Sequence, residues 1–231
     1  MTELSLANRH IVVTGGLGVL GRAVGAVLAE HGALVVLLDR VPAQDVPGMA
    51  AVIGGVDLTD PEATRSAFDQ ASERLHGFDG LVNVAGGFRW ETLESGSLES
   101  WDALYAMNLR STVGACREAL PRLVKAAGSG IVNVGALAAQ RAGMGMGAYA
   151  ASKAGVARLT EALAEELKDR GVRVNAVLPS ILDTPANRAD MPDADATRWV
   201  PPRSLAAVIA FLLSDDASAV TGACVPVAGR V

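Results

Sequence analysis

Residues 10–32 read HIVVTGGLGVLGRAVGAVLAEHG: a short β-branched run, a glycine-rich turn, then a longer run ended by glycine. The first part (10–15) has the continuous apolar run IVV at its centre, as a strand buried on both faces does, and the part from 19 to 32 carries the 3.6-residue period of a helix. Gly15, Gly18 and Gly21 fall on the junction, where the chain has to turn sharply from strand to helix. A doubly buried strand joined directly to a helix needs parallel neighbours and a second layer of helices, so this opening constrains the fold more than any other stretch.

The rest of the chain repeats the alternation. Strands are expected at 33–39, 50–55, within FDGLVNVAG (78–86), and at 130–135, 172–179 and 222–229. Helices are expected at 61–77, with Asp60 as cap and Pro61 in the first turn, and at 98–127, 147–170 and 201–215. The length allows one large or two small domains, and the chain shows no internal repeat and no low-complexity linker. The fold class expected is therefore α/β: a single domain over residues 1–231, a doubly wound parallel sheet of about seven strands with helices on both faces. Only SILDTPANRADMPDADATRW and its edges, about 180–200, lack a clear period; a long irregular segment at the carboxyl ends of such strands is expected to be a lid.

Composition narrows the functions. With a net charge of −5 and no basic block, neither nucleic acid nor an acidic membrane surface is expected as a partner; a small-molecule substrate is. Cys116 and Cys224 form no CxxC spacing, and His10, His31 and His76 are dispersed, so no disulfide framework, no metal site and no histidine base are expected. Charges interrupt every long apolar run, and MTELSLANRH lacks the basic-then-apolar order of a signal peptide, so the expected location is cytoplasmic, with no membrane span.

The turn TGGLGVLGR (14–22) offers Gly15, Leu17, Gly18, Val19, Leu20 and Gly21 as a cradle for a pyrophosphate, because backbone N–H groups and a helix N-terminus can approach it with no Cβ in the way. Asp39 ends the second strand 18 residues after Gly21, where a carboxylate accepts hydrogen bonds from ribose hydroxyls. That points to NAD(H). Arg40 next to it can soften the exclusion of a 2′-phosphate, so NADP(H) is not excluded. Asp57 and Leu58 after the third strand, and Asn83, Ala85 and Gly86 after the fourth, fall on the same edge of the sheet and are expected along adenine and the second ribose. Tyr149 and Lys153, four residues apart on an expected helix, share one face, and an ammonium beside a phenol favours its phenolate.

The glycine turn, NVAG (83–86), AMNLRST around Asn108, IVNV, YAASK, NAVLP and TGACVPVAG occur in an order and spacing that resemble the short-chain dehydrogenase/reductase superfamily over essentially the whole chain. The resemblance implies a general acid/base role for Tyr149, ribose binding by Lys153 and support of a proton-relay water by Asn108. It further implies cofactor contacts from Pro179, Leu182 and Thr184, and a homodimer or homotetramer joined through the helices at 98–127 and 147–170. Several positions depart from the superfamily's pattern: Val19 and Val84 stand for usual residues, Ser180 follows Pro179, and Ala136, 13 residues before Tyr149, replaces a substrate-orienting serine.

A narrower likeness accounts for these departures together. VAGG (84–87), the Gly135–Ala136 pair and LPSILDTPANRADMPDADATRWVP (178–201) look like the quinonoid dihydropteridine reductase branch, whose conjugated substrate does not require a serine on a carbonyl. Ala136, Phe88, Trp90 and Trp199 are then expected to line the seat of a flat heterocycle. Three readings stay open: a reductase of quinonoid dihydropteridine or a similar conjugated substrate, a general short-chain oxidoreductase acting on a carbonyl or alcohol, and a non-catalytic NAD(H)-binding sensor.

Overall fold

The computed structural model describes residues 4–231; residues 1–3, the first of the expected 1–231 domain and of the MTELSLANRH stretch, lie outside the described residues. Seven parallel strands run β1 (His10–Thr14), β2 (Leu34–Leu38), β3 (Ala51–Ile53), β4 (Gly80–Asn83), β5 (Gly130–Val134), β6 (Arg173–Pro179) and β7 (Cys224–Val227). Their order across the sheet is β3-β2-β1-β4-β5-β6-β7, so the chain leaves β1 in one direction, returns, and continues from β4 in the other. This is the doubly wound Rossmann-type α/β fold that the alternation of strands and helices implies.

Seven α-helices accompany the sheet among the described residues: α1 (Val19–Glu30), α2 (Pro61–Leu75), α3 (Leu98–Tyr105), α4 (Ser111–Leu123), α5 (Gly147–Leu167), α6 (Pro185–Asp190) and α7 (Pro202–Leu213). The period-2 alternation of each strand supplies two separate cores. Ile11, Val13, Leu37 and Val82 pack with Val24 and Leu28 of α1 and Leu205 and Ile209 of α7. Their neighbours Val12, Val36, Leu38 and Leu81 pack on the other face with Phe68 of α2, Leu123 of α4 and Leu167 of α5. Among the described residues no helix is long and apolar enough to cross a membrane.

Two expected elements differ in kind. The helix expected at 98–127 is three pieces, because Ala106–Arg110 forms a π turn between α3 and α4 and the last helical residue is Leu123. Ser111 and Thr112 donate their hydroxyls back to the carbonyls of Met107 and Asn108 at 2.6 and 2.8 Å, occupying backbone acceptors at the widened turn. The segment at 180–200 is not irregular throughout: it holds α6, with Thr184 Oγ1 accepting from Asn187 N at 3.2 Å, and a short 3₁₀ turn at Ala196–Arg198. Both pieces are shorter than two helical turns, too short to print a period. A bridge between Leu182 and Val200 closes the segment's base. The remaining differences are at element ends, as at β3, where Gly55 (φ 75°) follows the last paired residue closely.

Candidate active site

The reversal of strand order between β1 and β4 leaves a crevice at the carboxyl ends of the strands, and a cleft of about 1840 Å³ lies there. Pockets for drug-sized ligands measure roughly 300–1,000 Å³, so this cleft has room for a dinucleotide and a second small molecule. At Gly15 (φ 64°) an added Cβ would stand 2.7 Å from the backbone nitrogen of Ala85, and at Gly21 it would stand 2.1 Å from the carbonyl oxygen of Gly15. The turn is thus pressed both against the chain leaving β4 and under the first turn of α1. Gly18 caps α1 without a side-chain hydrogen bond, which leaves N–H groups of the helix start for phosphate oxygens.

Asp39 braces that turn: its Oδ2 accepts from Leu17 N at 2.8 Å and its Oδ1 from Val41 N at 3.2 Å. An ionised carboxylate has about four acceptor sites, so two remain for ribose hydroxyls. Asp57 accepts from the hydroxyl and N–H of Thr59 at 2.7 and 2.9 Å, and these bonds hold its carboxyl below the usual carboxylate range. Leu17, Val19, Leu20, Arg40, Leu58, Ala85 and Gly86 share the wall with them, and Pro179, Leu182 and Thr184 line the far end. A cradle that any Cβ would fill, a free helix start and a half-satisfied carboxylate together fit a nicotinamide dinucleotide.

Tyr149 and Lys153 occupy the first turns of α5 and both line the cleft. Lys153 is buried, and its Nζ donates to the carbonyl of Val134, the last residue of β5, at 2.8 Å. Burial lowers the Lys153 ammonium to about 8 and raises the Tyr149 phenol to about 12. In the chain by itself burial displaces the Tyr149 phenol upward, not in the direction expected from its cationic neighbour, and keeps it neutral at ordinary pH.

Asn108 is fully buried in the π turn, and its amide is committed to protein partners. Its Oδ1 accepts from Gly87 N at 2.9 Å, and its Nδ2 donates to Gly87 O at 3.1 Å and to Ser152 Oγ at 3.0 Å. The side chain holds the turn that follows β4, and the backbone carbonyl of Asn108 accepts from the Thr112 hydroxyl.

Two expected site residues stand elsewhere. Asn83 is buried in the sheet layer, where its Nδ2 donates to Asn133 Oδ1 at 2.9 Å, and it does not line the cleft. Two residues after Leu81, its side chain takes the same sheet face, toward Cys116 of α4 and beside the in-register Asn133. Trp199 is 5% exposed, closes the base of the 180–200 segment and is absent from the cleft wall.

Ala136, Phe88 and Trp90 do line it. Phe88 meets Tyr149 edge to face, with ring centroids 4.9 Å apart and planes at 90°. The Trp90 indole lies directly on Gly145 and donates its Nε1–H to Met144 O at 3.0 Å. Residues missed by sequence reasoning are the carbonyl of Val134, Gly87, and Gln140 and Asn187 on the wall. Backbone groups leave no sequence signal, and Gln140 and Asn187 belong to loop and short-helix segments with no readable period.

The family model described as Enoyl-(Acyl carrier protein) reductase matches residues 18–229. The chain is 32% identical to the 2,5-dichloro-2,5-cyclohexadiene-1,4-diol dehydrogenase LinX of Sphingobium indicum, over 97% of this chain and 96% of that protein. It is 30% identical to the 3-oxoacyl-[acyl-carrier-protein] reductase FabG of Thermotoga maritima, over 98% of each. A short-chain dehydrogenase from Burkholderia cenocepacia J2315 in complex with NADP superposes with a TM-score of 0.86 at 32% identity, covering 97% of this chain and 98% of that one. None of these matches carries the narrower likeness to quinonoid dihydropteridine reductase. The glycine turn under α1, the Tyr149–Lys153 pair on α5 and likeness along nearly the whole length agree: the chain belongs to the short-chain dehydrogenase/reductase family of NAD(P)-dependent oxidoreductases.

Proposed function

We propose that the enzyme interconverts a carbonyl and an alcohol on a small molecule, with Tyr149 as its proton donor and acceptor. The observation that carries this is the neutral, half-buried Tyr149 phenol on the wall of a cleft that also holds the glycine turn and Asp39. Relatives named for a diol and for a 3-oxoacyl group support this substrate class over others. When bound, the nicotinamide supplies or takes the hydride. In the reductive direction Tyr149 gives its proton to the carbonyl oxygen as charge develops there. Lys153, fixed by the Val134 carbonyl, directs its remaining N–H groups toward a ribose, and Asn108 holds Gly87 and supports a water of the proton relay.

The same reading gives Asp39 the choice of nucleotide, favouring NAD(H), with Arg40 as the group through which NADP(H) is tolerated. Gly15, Leu17, Gly18, Val19, Leu20, Gly21, Asp57, Leu58, Ala85, Gly86, Pro179, Leu182 and Thr184 complete the cofactor contacts. Residues 180–200, with α6 inside them, act as the lid of a single 1–231 domain, in a homodimer or homotetramer in the cytoplasm. A second reading, reduction of a quinonoid dihydropterin or a similar conjugated imine, is favoured by one observation: Ala136 offers no donor to a carbonyl, whereas Phe88 and Trp90 offer flat walls.

Steady-state assays of ketones, alcohols and quinonoid dihydropterin, each with NADH/NAD⁺ and NADPH/NADP⁺, separate the readings. Carbonyl or alcohol turnover, faster with NAD(H), is expected. Pterin turnover without ketone or alcohol turnover would invert the order, and tight NADH binding with no turnover of any substrate would leave the sensor reading. Tyr149→Phe is expected to lose about 10²–10⁴-fold in kcat with NADH binding kept; full activity in that variant sinks the mechanism.

A further inference from the structure

Phe88 is 55% exposed, yet its ring does not float in the cleft mouth. It follows Gly87, whose N–H and carbonyl are both gripped by the buried Asn108 amide, so the backbone that carries it is fixed from below. From there the ring reaches the phenol of Tyr149, 4.9 Å between centroids with the planes perpendicular, an arrangement that aligns the positive edge of one ring with the negative face of the other. A tyrosine on the first turn of a helix that opens into a wide cleft would be wetted from the cleft side. Phe88 stands on that side.

The charged groups that line the cleft are Lys153 on the tyrosine's own helix, Arg89 beside Phe88, Arg141 on the loop after β5, Asp190 on α6, and Asp39, Arg40 and Asp57. None of them is the cause of the phenol's displacement, which is burial. Ala136, also on the cleft wall, has no side-chain hydrogen bond to give. The orientation and dryness of the phenol therefore depend on packing rather than on a polar partner across the site.

We propose that Phe88 is a positioning residue for Tyr149: carried on the turn that Asn108 grips, its ring caps the phenol, keeps water from it and holds it toward the reacting centre. The proposal rests on the reading of Tyr149 as the proton donor. It predicts that removing the cap alters the acidity of Tyr149 itself, which a merely structural side chain at the surface would not do.

The chain has two tyrosines, Tyr105 and Tyr149, so the full-length protein with Tyr105→Phe leaves Tyr149 as its one phenol. Its ionisation is read directly by phenolate absorbance between about pH 7 and 11, with return to pH 7 to check reversibility. With Phe88 in place only a small fraction of phenolate is expected by the top of that range, since the phenol lies at about 12. Phe88→Ala is expected to bring the midpoint down by about one pH unit or more, and Phe88→Leu, which restores apolar bulk without the ring, to fall between the two. The same order is expected in the rising limb of the pH profile for alcohol oxidation, in which the phenol must first lose its proton. An unchanged midpoint in Phe88→Ala overturns the proposal. Retained turnover in Tyr149→Phe would instead remove the proton-donor reading and leave the titration result standing, so the two failures are distinguishable.

Discussion

Tyr149 and Lys153 are moved in opposite directions by one cause, burial, and only one of them crosses its midpoint near neutrality. Lys153, lowered to about 8, is an ammonium below that pH and a neutral amine above it, whereas Tyr149 keeps its proton throughout. Reduction needs the phenol protonated and the ammonium charged beside a ribose, so kcat/KM for reduction is expected to hold steady below pH 8 and to fall above it. In Lys153→Arg the guanidinium stays charged, so that limb should flatten even though the overall rate is lower; a limb that persists unchanged would belong to another group. The pair itself was legible from its spacing, because residues four apart share a helix face. The sign of the tyrosine's displacement was not, since a sequence does not say which side chain ends up covered. Asn83 and Trp199 were misplaced for the same reason: residue type marks them as candidates, but strand register and the Leu182–Val200 bridge decide which way they face.

At the scale of elements, the strands and most helices were readable because their periods persist for several residues, and the breaks in period were not. The π turn at Ala106–Arg110 is hidden inside a run that reads as one helix, yet it carries Asn108 and through it the turn bearing Phe88. A second device joins β4, β5 and α5: Asn83 donates to Asn133 Oδ1, and Asn133 Nδ2 donates to Thr160 Oγ1, both at 2.9 Å and all buried. Parallel strands in register place the two asparagines side by side, and no water reaches them to replace a lost partner. Asn133→Ala leaves the Asn83 amide with the Cys116 sulfur as its remaining acceptor, a weak one at 3.3 Å. The expected cost is about 1–3 kcal/mol in urea unfolding, with the cleft geometry little changed. A variant as stable as the parent would mean that the ladder is not what joins these elements.

Across the whole molecule, the sheet order fixes where the cofactor can lie, but it also leaves one side of the helical layer with apolar side chains facing outward. Trp101 and Tyr105 stand four residues apart on α3, and Met107 and Val113 continue the apolar surface through the π turn into α4, each of the four at least one-third exposed. Isolated exposed hydrophobic residues are ordinary, but a contiguous run along neighbouring helices is the character of an interface, and a stable one buries about 1,200–2,000 Å² in total. The homodimer or homotetramer proposed above would cover this run across a two-fold axis, with the small residues of α5 allowing close approach. Light scattering is then expected to give two or four times the 23.7 kDa of the chain. Val113→Glu puts a charge on the surface of α4, away from both Tyr149 and the glycine turn, and is expected to weaken association by about tenfold or more, equivalent to about 1.4 kcal/mol. Fold and NADH binding should survive in that variant, because the cleft is built within one chain. A monomeric parent, or a Val113→Glu protein that associates as tightly as the parent, would remove this face from the assembly.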